Sequence, residues 1–472
     1  MTIRSLFFIL LFLVLNFQEA VLSKTTDETT LIFPPYLHTY GIRKATRFHL
    51  FVFTKNSTKF KDPQDLAVAR LLAWEDTTTN KDDDEVTVYG VNSGENNIIY
   101  NTSMKAIGIY GKDEPEEARL NAPNGITANE SGDVLVADTG NHRIVRLYNS
   151  GSQLEFVRAF GKQGTGFGEF NHPYDVAMDL YGTVYVTDTE NNRIQVFDFE
   201  DRFIREIGWL DYNTSFLDSP KGVALIDGQD KWSYYDESFL VVVDSLNQRL
   251  QKVSVDGQLV ARLNTKQFGY PEADLQYLDI DYYGSVYVTD QKNHCIHKFN
   301  NKLEYLTTFG KYGSGDNEFI EPRGFTIYRR FGQVFVAEKM GAQYYWIGID
   351  VQNFAVEYRP EINQLDISFF ITEPGFVTAE IYDESDNLVT RFFRKRRLMT
   401  GKHHEKWITR IYPLRLTKRE KAEMKIGQEY QKLSFIPFGK YKLVYKFEPT
   451  YSSYHFFVKE KSFGFEIKQP GE

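Results

Sequence analysis

The chain has 472 residues, with 55 Lys+Arg against 64 Asp+Glu and a net charge of −9. An apolar share of 42% excludes wholesale disorder, and the acidic balance argues against nucleic acid as the main partner. The only cysteine, Cys295, excludes an intrachain disulfide and any cysteine-cluster zinc or iron–sulfur centre.

Residues 1–23 read MTIRSLFFILLFLVLNFQEAVLS. Arg4 precedes the unbroken apolar run Leu6–Leu15, and Val21-Leu22-Ser23 offers a cleavage point. This is the pattern of a secretory signal peptide. The run is too short to span a bilayer, which needs ~20 apolar residues, and no later segment is long enough. The expected location is secreted, periplasmic or cell-surface.

The chain then repeats itself. PNGITANESGDVLVADTGNHRI at 123–144 aligns without a gap on PYDVAMDLYGTVYVTDTENNRI at 173–194. Weaker copies begin at Pro63, Pro220, Leu275 and Pro322. The equivalent anchors are Asn92, Asp138, Asp188, Asp244, Asp290 and Glu338. Each repeat holds an apolar strand, a Gly turn, an alternating strand such as VYVTD, a polar turn and two further strands. Four short strands every 40–50 residues predict the blades of an all-β propeller, here six-bladed. The segment Ala45–Phe53 precedes the first repeat as a fourth strand precedes the others. It is expected to be a strand that closes the ring on the sixth blade. Insertions at Glu75–Glu85 and Gly228–Glu237 separate the first and second strands of opposite blades and are expected on one face.

The strings ADTGNHRIVRL and TDTENNRIQVF resemble the NHL repeat. The resemblance covers about residues 60–348 and implies a rigid propeller with function in its loops. Arg is absent from three copies, where Asn97, Cys295 and Gln343 stand. The Asp, Asn and Arg of the turns, such as Asp138, Asn141 and Arg143, read as turn architecture, since Asp and Asn bond neighbouring backbone N–H groups.

Beyond Ile349 the repeat stops and the charge reverses: residues 351–472 carry 21 Lys+Arg and 16 Asp+Glu. Alternating segments such as ISFFITEPGFVTAEIYDESDNLVT at 367–390 predict antiparallel strands of an Ig-like β-sandwich. Gly401, His403 or His404, Trp407, Gly439 and Tyr441 resemble, in order and type, the Ig-like module of the flagellar hook-cap (FlgD-type) family. That resemblance implies attachment or assembly. The expected domains are a signal peptide at 1–23, the propeller at 24–350 and the sandwich at 351–472.

The search for chemistry centres on the channel. The residues after each repeat's first position place no histidine at its mouth, which counts against a zinc lyase. Asp65, Asn124 and Asp175 could supply three oxygens to calcium, which takes six to eight; otherwise no cofactor is expected. The mouth also carries aromatics with both charge signs, the composition of an interface. The candidate ligand site is Asn124, Tyr174, Asp175, Lys221, Tyr277 and Arg323. A second candidate is a basic arm for an anionic partner: Arg391, Arg394, Lys395, Arg396 and Arg397. The sequence therefore favours an exported, non-enzymatic, monomeric binding or scaffold protein for a protein or glycan, without a membrane span. The other class left open is a metal-assisted lyase or lactonase working in the channel.

Overall fold

The computed structural model describes residues 29–34, 43–55, 57–74, 86–103, 106–111, 114–211, 214–410 and 435–468. The expected signal peptide, the insertion at 75–85 and most of the charged stretch 411–435 lie outside them. No helix among the described residues is long and apolar enough to cross a membrane.

The architecture is nearly all β. Six antiparallel sheets follow one another along the chain. Their first strands are Pro63–Ala69, Ile126–Ala128, Pro173–Met178, Pro220–Ile226, Leu275–Ile280 and Pro322–Tyr328. Each first strand packs on the first strand of the next sheet, and the sixth packs on the first. Their second strands are near-continuous buried apolar runs such as Val184–Asp188 and Phe239–Asp244, because both faces of every sheet are covered by neighbours.

The repeat's turn chemistry explains the local folding. Pro173 pairs with Asp188, Pro220 with Asp244 and Pro322 with Glu338, each followed by a bulge. Proline lacks a ladder donor, so it suits the first residue of a strand. The Asp188 carboxylate is fully buried and accepts from Asn171 N, Asn191 Nδ2, Arg193 Nε and Gln195 Nε2, at 2.7, 2.9, 2.9 and 3.1 Å. The hydroxyls of Thr139 and Thr189 donate to the carbonyls of Pro173 and Pro220, which ties each sheet to the next.

The outer edge of the sixth sheet is completed from the N-terminal side, in two pieces. Leu31–Ile32 pairs with Ile347 and Trp346, and Lys44–Ala45 pairs with Gln343 and Ala342. The strand expected over 45–53 is instead a helix, Arg47–Thr54. Its Phe- and Val-rich composition reads as β, but the ends decide locally. Thr46 N–H donates to His49 Nδ1 at 3.1 Å, Leu50 N–H donates to Thr46 O, and Lys55 ends the helix at φ 52°. Only Leu50 is buried; Phe48, Phe51 and Val52 are exposed. Leu31, by contrast, lies in a core cluster with Ile327, Val334 and Tyr345. Replacing Leu31 with Ala is therefore expected to cost about 2–5 kcal/mol, as for other buried leucines. Phe48→Ala should stay within about 0.5 kcal/mol. Urea denaturation of the two variants checks this, and the reverse order would refute the edge assignment.

After Ile349 come two further sheets. One is Val351–Arg359, Gln364–Ile371 and Gly401–Ile408; the other has the order Leu388–Leu398, Gly375–Asp383, Gly439–Pro449, Lys459–Ile467. They share a core that includes Leu365, Ile367, Val377, Ile381, Leu443 and Tyr445. This unit docks on the fifth and sixth sheets. Ser453 Oγ donates to Ile347 O at 2.6 Å, Tyr283 Oη to Thr450 Oγ1 at 2.7 Å, and Arg397 Nη2 to Tyr283 Oη at 2.9 Å. Beneath them Lys298 of the fifth sheet forms a fully buried ion pair with Glu373.

Candidate functional site

The first strands bring two layers of side chains to the centre of the ring. On the side of the sheet-to-sheet loops, Tyr174 and Tyr277 stack at 5.2 Å. Tyr174 Oη donates to Gln276 Oε1 at 2.8 Å, and Lys221 Nζ donates to Asp274 and Gln276 at 3.2 and 3.3 Å. Tyr277 Oη reaches Gln64 at 3.5 Å, and Arg323 pairs with Asp62. Four of the six expected ligand residues thus meet at one end, where they bond to each other's neighbours and close it.

Asp175 belongs to the next layer. Its Oδ1 accepts from Val176 N and its Oδ2 from Val223 N of the following sheet, both at 2.8 Å. Asp65 accepts from Ile126 N of the sheet after its own at 3.1 Å. Asp279 accepts from Ile327 N of the sixth sheet at 2.8 Å. Each carboxyl is a clip between an odd sheet and the even one that follows. Glycine makes this possible on the even sheets: a Cβ at Gly125 would lie 2.2 Å from Asp175 Oδ1. Sequence reasoning placed Asp65 and Asp175 on the axis but missed Asp279. In the fifth sheet Tyr277 occupies the equivalent position, and the carboxyl sits two residues further on.

Above this layer, on the side of the first-to-second strand turns, the ring opens into a cavity of about 560 Å³. Asp65, Asp175 and Asp279 border it; Asn124, Tyr174, Lys221, Tyr277 and Arg323 do not. Arg329 crosses its wall, donating to Ile280 O at 2.8 Å and Leu225 O at 2.7 Å and lying 3.6 Å from Asp279. The insertion at 228–237 stands at the rim, where Lys231 pairs with Glu130 of the second sheet at 3.1 Å and Trp232 lines the opening. Seven carboxylates face three basic side chains around the cavity.

Burial sets the acid–base behaviour of the floor. Asp65 is raised well above the ordinary aspartate range by burial first and by the charge of Asp175 second. Burial pushes Asp175 up to about 7, with the bonds from Val223 N and Val176 N pulling the other way. Like charges near one another disfavour ionisation of both, so the charge of Asp175 adds to the burial of Asp65. Burial also raises Asp279, with Arg329 pulling the other way. A calcium ion at Asp65 and Asp175 would compete with the backbone N–H groups already bonded to both. With Asn124 off the cavity wall, that donor set falls short of the oxygens calcium takes.

The basic arm lies in the strand Leu388–Leu398. Arg391 Nε bonds Glu380 at 2.7 Å, Lys395 bonds Glu448 at 2.8 Å, and Arg396 pairs with Glu405 over the Phe393 ring. Arg397 lies over the Tyr234 ring at 4.8 Å. Most of this charge is met within the molecule, and Arg394 also has an interaction partner.

Comparison with known proteins bears on the repeats. Among solved structures, a catalytically inactive virginiamycin B lyase from Staphylococcus aureus is 16% identical, covering 56% of this chain and 78% of its own, at a TM-score of 0.39. Protein brain tumor of Drosophila melanogaster is 27% identical over 130 residues, which are 27% of this chain and 11% of that protein. Human NHL repeat-containing protein 3 is 34% identical over 76 residues, 16% of this chain and 22% of the relative. This chain therefore matches less than a quarter of either relative's length. The sequence model of the NHL repeat matches residues 120–147 and 170–197. Those spans cover the first, second and third strands of the second and third sheets, the third strand of the second sheet as far as Leu147, and the chain thus carries NHL repeats.

Proposed function

We propose that the chain is an exported, non-enzymatic binding protein: a six-bladed NHL propeller followed by an Ig-like, FlgD-type sandwich. Its central cavity accepts a cationic group, an amine or guanidinium presented by a protein partner. The observation that carries this reading is the cavity itself, closed at one end by the Tyr174–Tyr277 stack and floored by three carboxyls. Its volume lies in the range of ligand sites, roughly 300–1,000 Å³. Its acidic excess favours positive charge, and a cation would favour the ionised forms of Asp65 and Asp175, which burial disfavours. The ring of six rests on the closed series of first-strand contacts, and export rests on the pattern of residues 1–23.

The test is calorimetric titration with an acetylated tri-arginine amide against its tri-citrulline counterpart, which keeps the shape and removes the charge. The arginine peptide should bind at least tenfold more tightly. Its affinity should rise from pH 5.5 to pH 8, because Asp175 titrates near 7 and is protonated below that value. The Asp175→Asn/Asp279→Asn variant keeps one acceptor oxygen at each position for the clip amides of Val223 and Ile327 and should lose the preference. Equal binding of both peptides, or binding untouched in the variant, would refute the reading. A second reading, a lyase or lactonase in the same cavity, has one observation in its favour. Asp175, a buried acid on the cavity floor pushed up to about 7, is suited to proton transfer. Hydrolysis of a lactone panel that disappears in Asp175→Asn would support it.

A further inference from the structure

We propose that the fifth sheet holds a zinc ion between Asp290, Cys295 and His297, at the place where the third and fourth sheets hold an arginine. In the third and fourth sheets the buried anchor aspartate is met by an arginine and a glutamine. Arg193 Nε and Gln195 Nε2 reach Asp188 at 2.9 and 3.1 Å, and Arg249 Nε and Gln251 Nε2 reach Asp244 at 2.6 and 2.7 Å. In the fifth sheet both donors are exchanged together, Arg for Cys295 and Gln for His297. Asp290 and His297 are fully buried and Cys295 is 2% exposed. The guanidinium that balances the other aspartates is gone, and two metal-ligating side chains stand in its place.

The geometry fits a small tetrahedral ion. Cys295 Sγ lies 3.8 Å from His297 Nε2, and His297 Nε2 lies 3.1 Å from Asp290 Oδ2. The ligand atoms are all within 4.8 Å of one another. Zinc bonds of ~2.3 Å to sulfur and ~2.0 Å to nitrogen or oxygen give tetrahedral edges of roughly 3.5 and 3.3 Å. Charge closes as well. Zn²⁺ with one thiolate, one carboxylate and a neutral imidazole is uncharged, as is the Arg193–Asp188 pair, and an uncharged group is what a buried site tolerates.

The surroundings hold the ligands in place. His297 Nδ1 is 2.8 Å from Thr308 Oγ1, an acceptor for the ring's other N–H. Asn293 N and Asp274 N donate to Asp290 Oδ1 at 3.0 and 3.1 Å, leaving Oδ2 to the metal and to Asn293 Nδ2. Phe268 and Tyr270 pack on the imidazole at 5.1 and 4.4 Å and keep bulk water away. Three protein ligands leave one tetrahedral position to a non-protein ligand.

The experiment uses the full chain refolded with zinc, dialysed and analysed for metal. One equivalent is expected, and a chelator should lower the melting temperature. The control is Cys295→Arg/His297→Gln, which restores the residues of the third and fourth sheets. It should bind no zinc and be insensitive to the chelator. Cobalt loading is the second readout: a sulfur-to-cobalt absorption band should appear in the parent chain and vanish in Cys295→Ser, even if the double variant does not fold. Absence of retained zinc, or retention unchanged by Cys295→Ser, would overturn the proposal.

Discussion

Replacing Lys298 with Met is expected to produce a loss of stability that grows with pH. Lys298 and Glu373 are both essentially unexposed, Tyr287 Oη lies 3.5 Å from the carboxylate, and the buried Asp281 adds a negative charge that both Glu373 and Lys298 feel. Burial pushes Glu373 up to about 8, with Lys298 as the largest opposing influence. A carboxyl whose folded value is raised binds more protons when folded. Its contribution therefore falls as pH rises from the ordinary glutamate value toward 8. Without Lys298 the folded value climbs further and the fall continues. The cost should approach about 3–5 kcal/mol at pH 9, the range for a buried charge stripped of its partner, and be clearly smaller at pH 6. Glu373→Gln, which cannot ionise, should show a flatter pH dependence than the parent. Denaturant titrations at the two pH values decide it; a pH-independent loss in Lys298→Met would mean that only packing had changed.

Asp188→Ala is expected to be as severe. The substitution removes an acceptor from four donors at once, and Arg193 is itself buried. Arg193 would keep Glu206 at 2.9 Å and the carbonyls of Gly166 and Glu169, but Gln195 Nε2 would keep only Glu169 O. A cost of about 3–5 kcal/mol follows from the buried donors stripped of their acceptor, Asn171 N–H and Arg193 Nε–H outright and the two amides in part. Glu190→Ala, two residues along and half-exposed, should stay within about 0.5 kcal/mol. Comparable losses for the two variants would show that the anchor is not what holds the sheet.

The spacing of Asp188, Asn191 and Arg193 was legible because turn chemistry is local. A carboxylate three residues before an Asn and five before an Arg can bond both whatever the rest of the chain does. The alternation within residues 367–390 was legible because successive side chains of a strand point to opposite faces, and that stretch holds the end of Gln364–Ile371 and all of Gly375–Asp383. Helix Arg47–Thr54 was not, since three Phe and one Val outweigh in composition the single His49 that caps its first turn. The convergence of Tyr174, Lys221, Tyr277 and Arg323 could be anticipated from their place in each repeat. That their own bonds shut that end, while the cavity opens beyond Asp175, could not. It depends on side-chain lengths summed across strands 40–50 residues apart. Asp279 escaped because its sheet displaces the carboxyl by two positions, which returns it to the same face of the strand but to another depth in the ring. The Cys295–His297 pair was visible as a departure from the repeat, yet only the fold brings both against Asp290.

The two-piece edge of the sixth sheet has a consequence for the order of events during synthesis. Leu31 and Lys44 must wait for Ile347 and Gln343, some three hundred residues later, before they find their partners. Five sheets can zip within themselves as they emerge, since their strands are sequence neighbours. The sixth cannot, and closure of so long a loop is a slow, late step. Until then the strand Gly341–Ile347 presents an unpaired apolar edge, with Tyr345 and Trp346 on it, of the kind that recruits other chains. A nascent chain halted before residue 341 would carry a complete set of five sheets and no place for its own first strands.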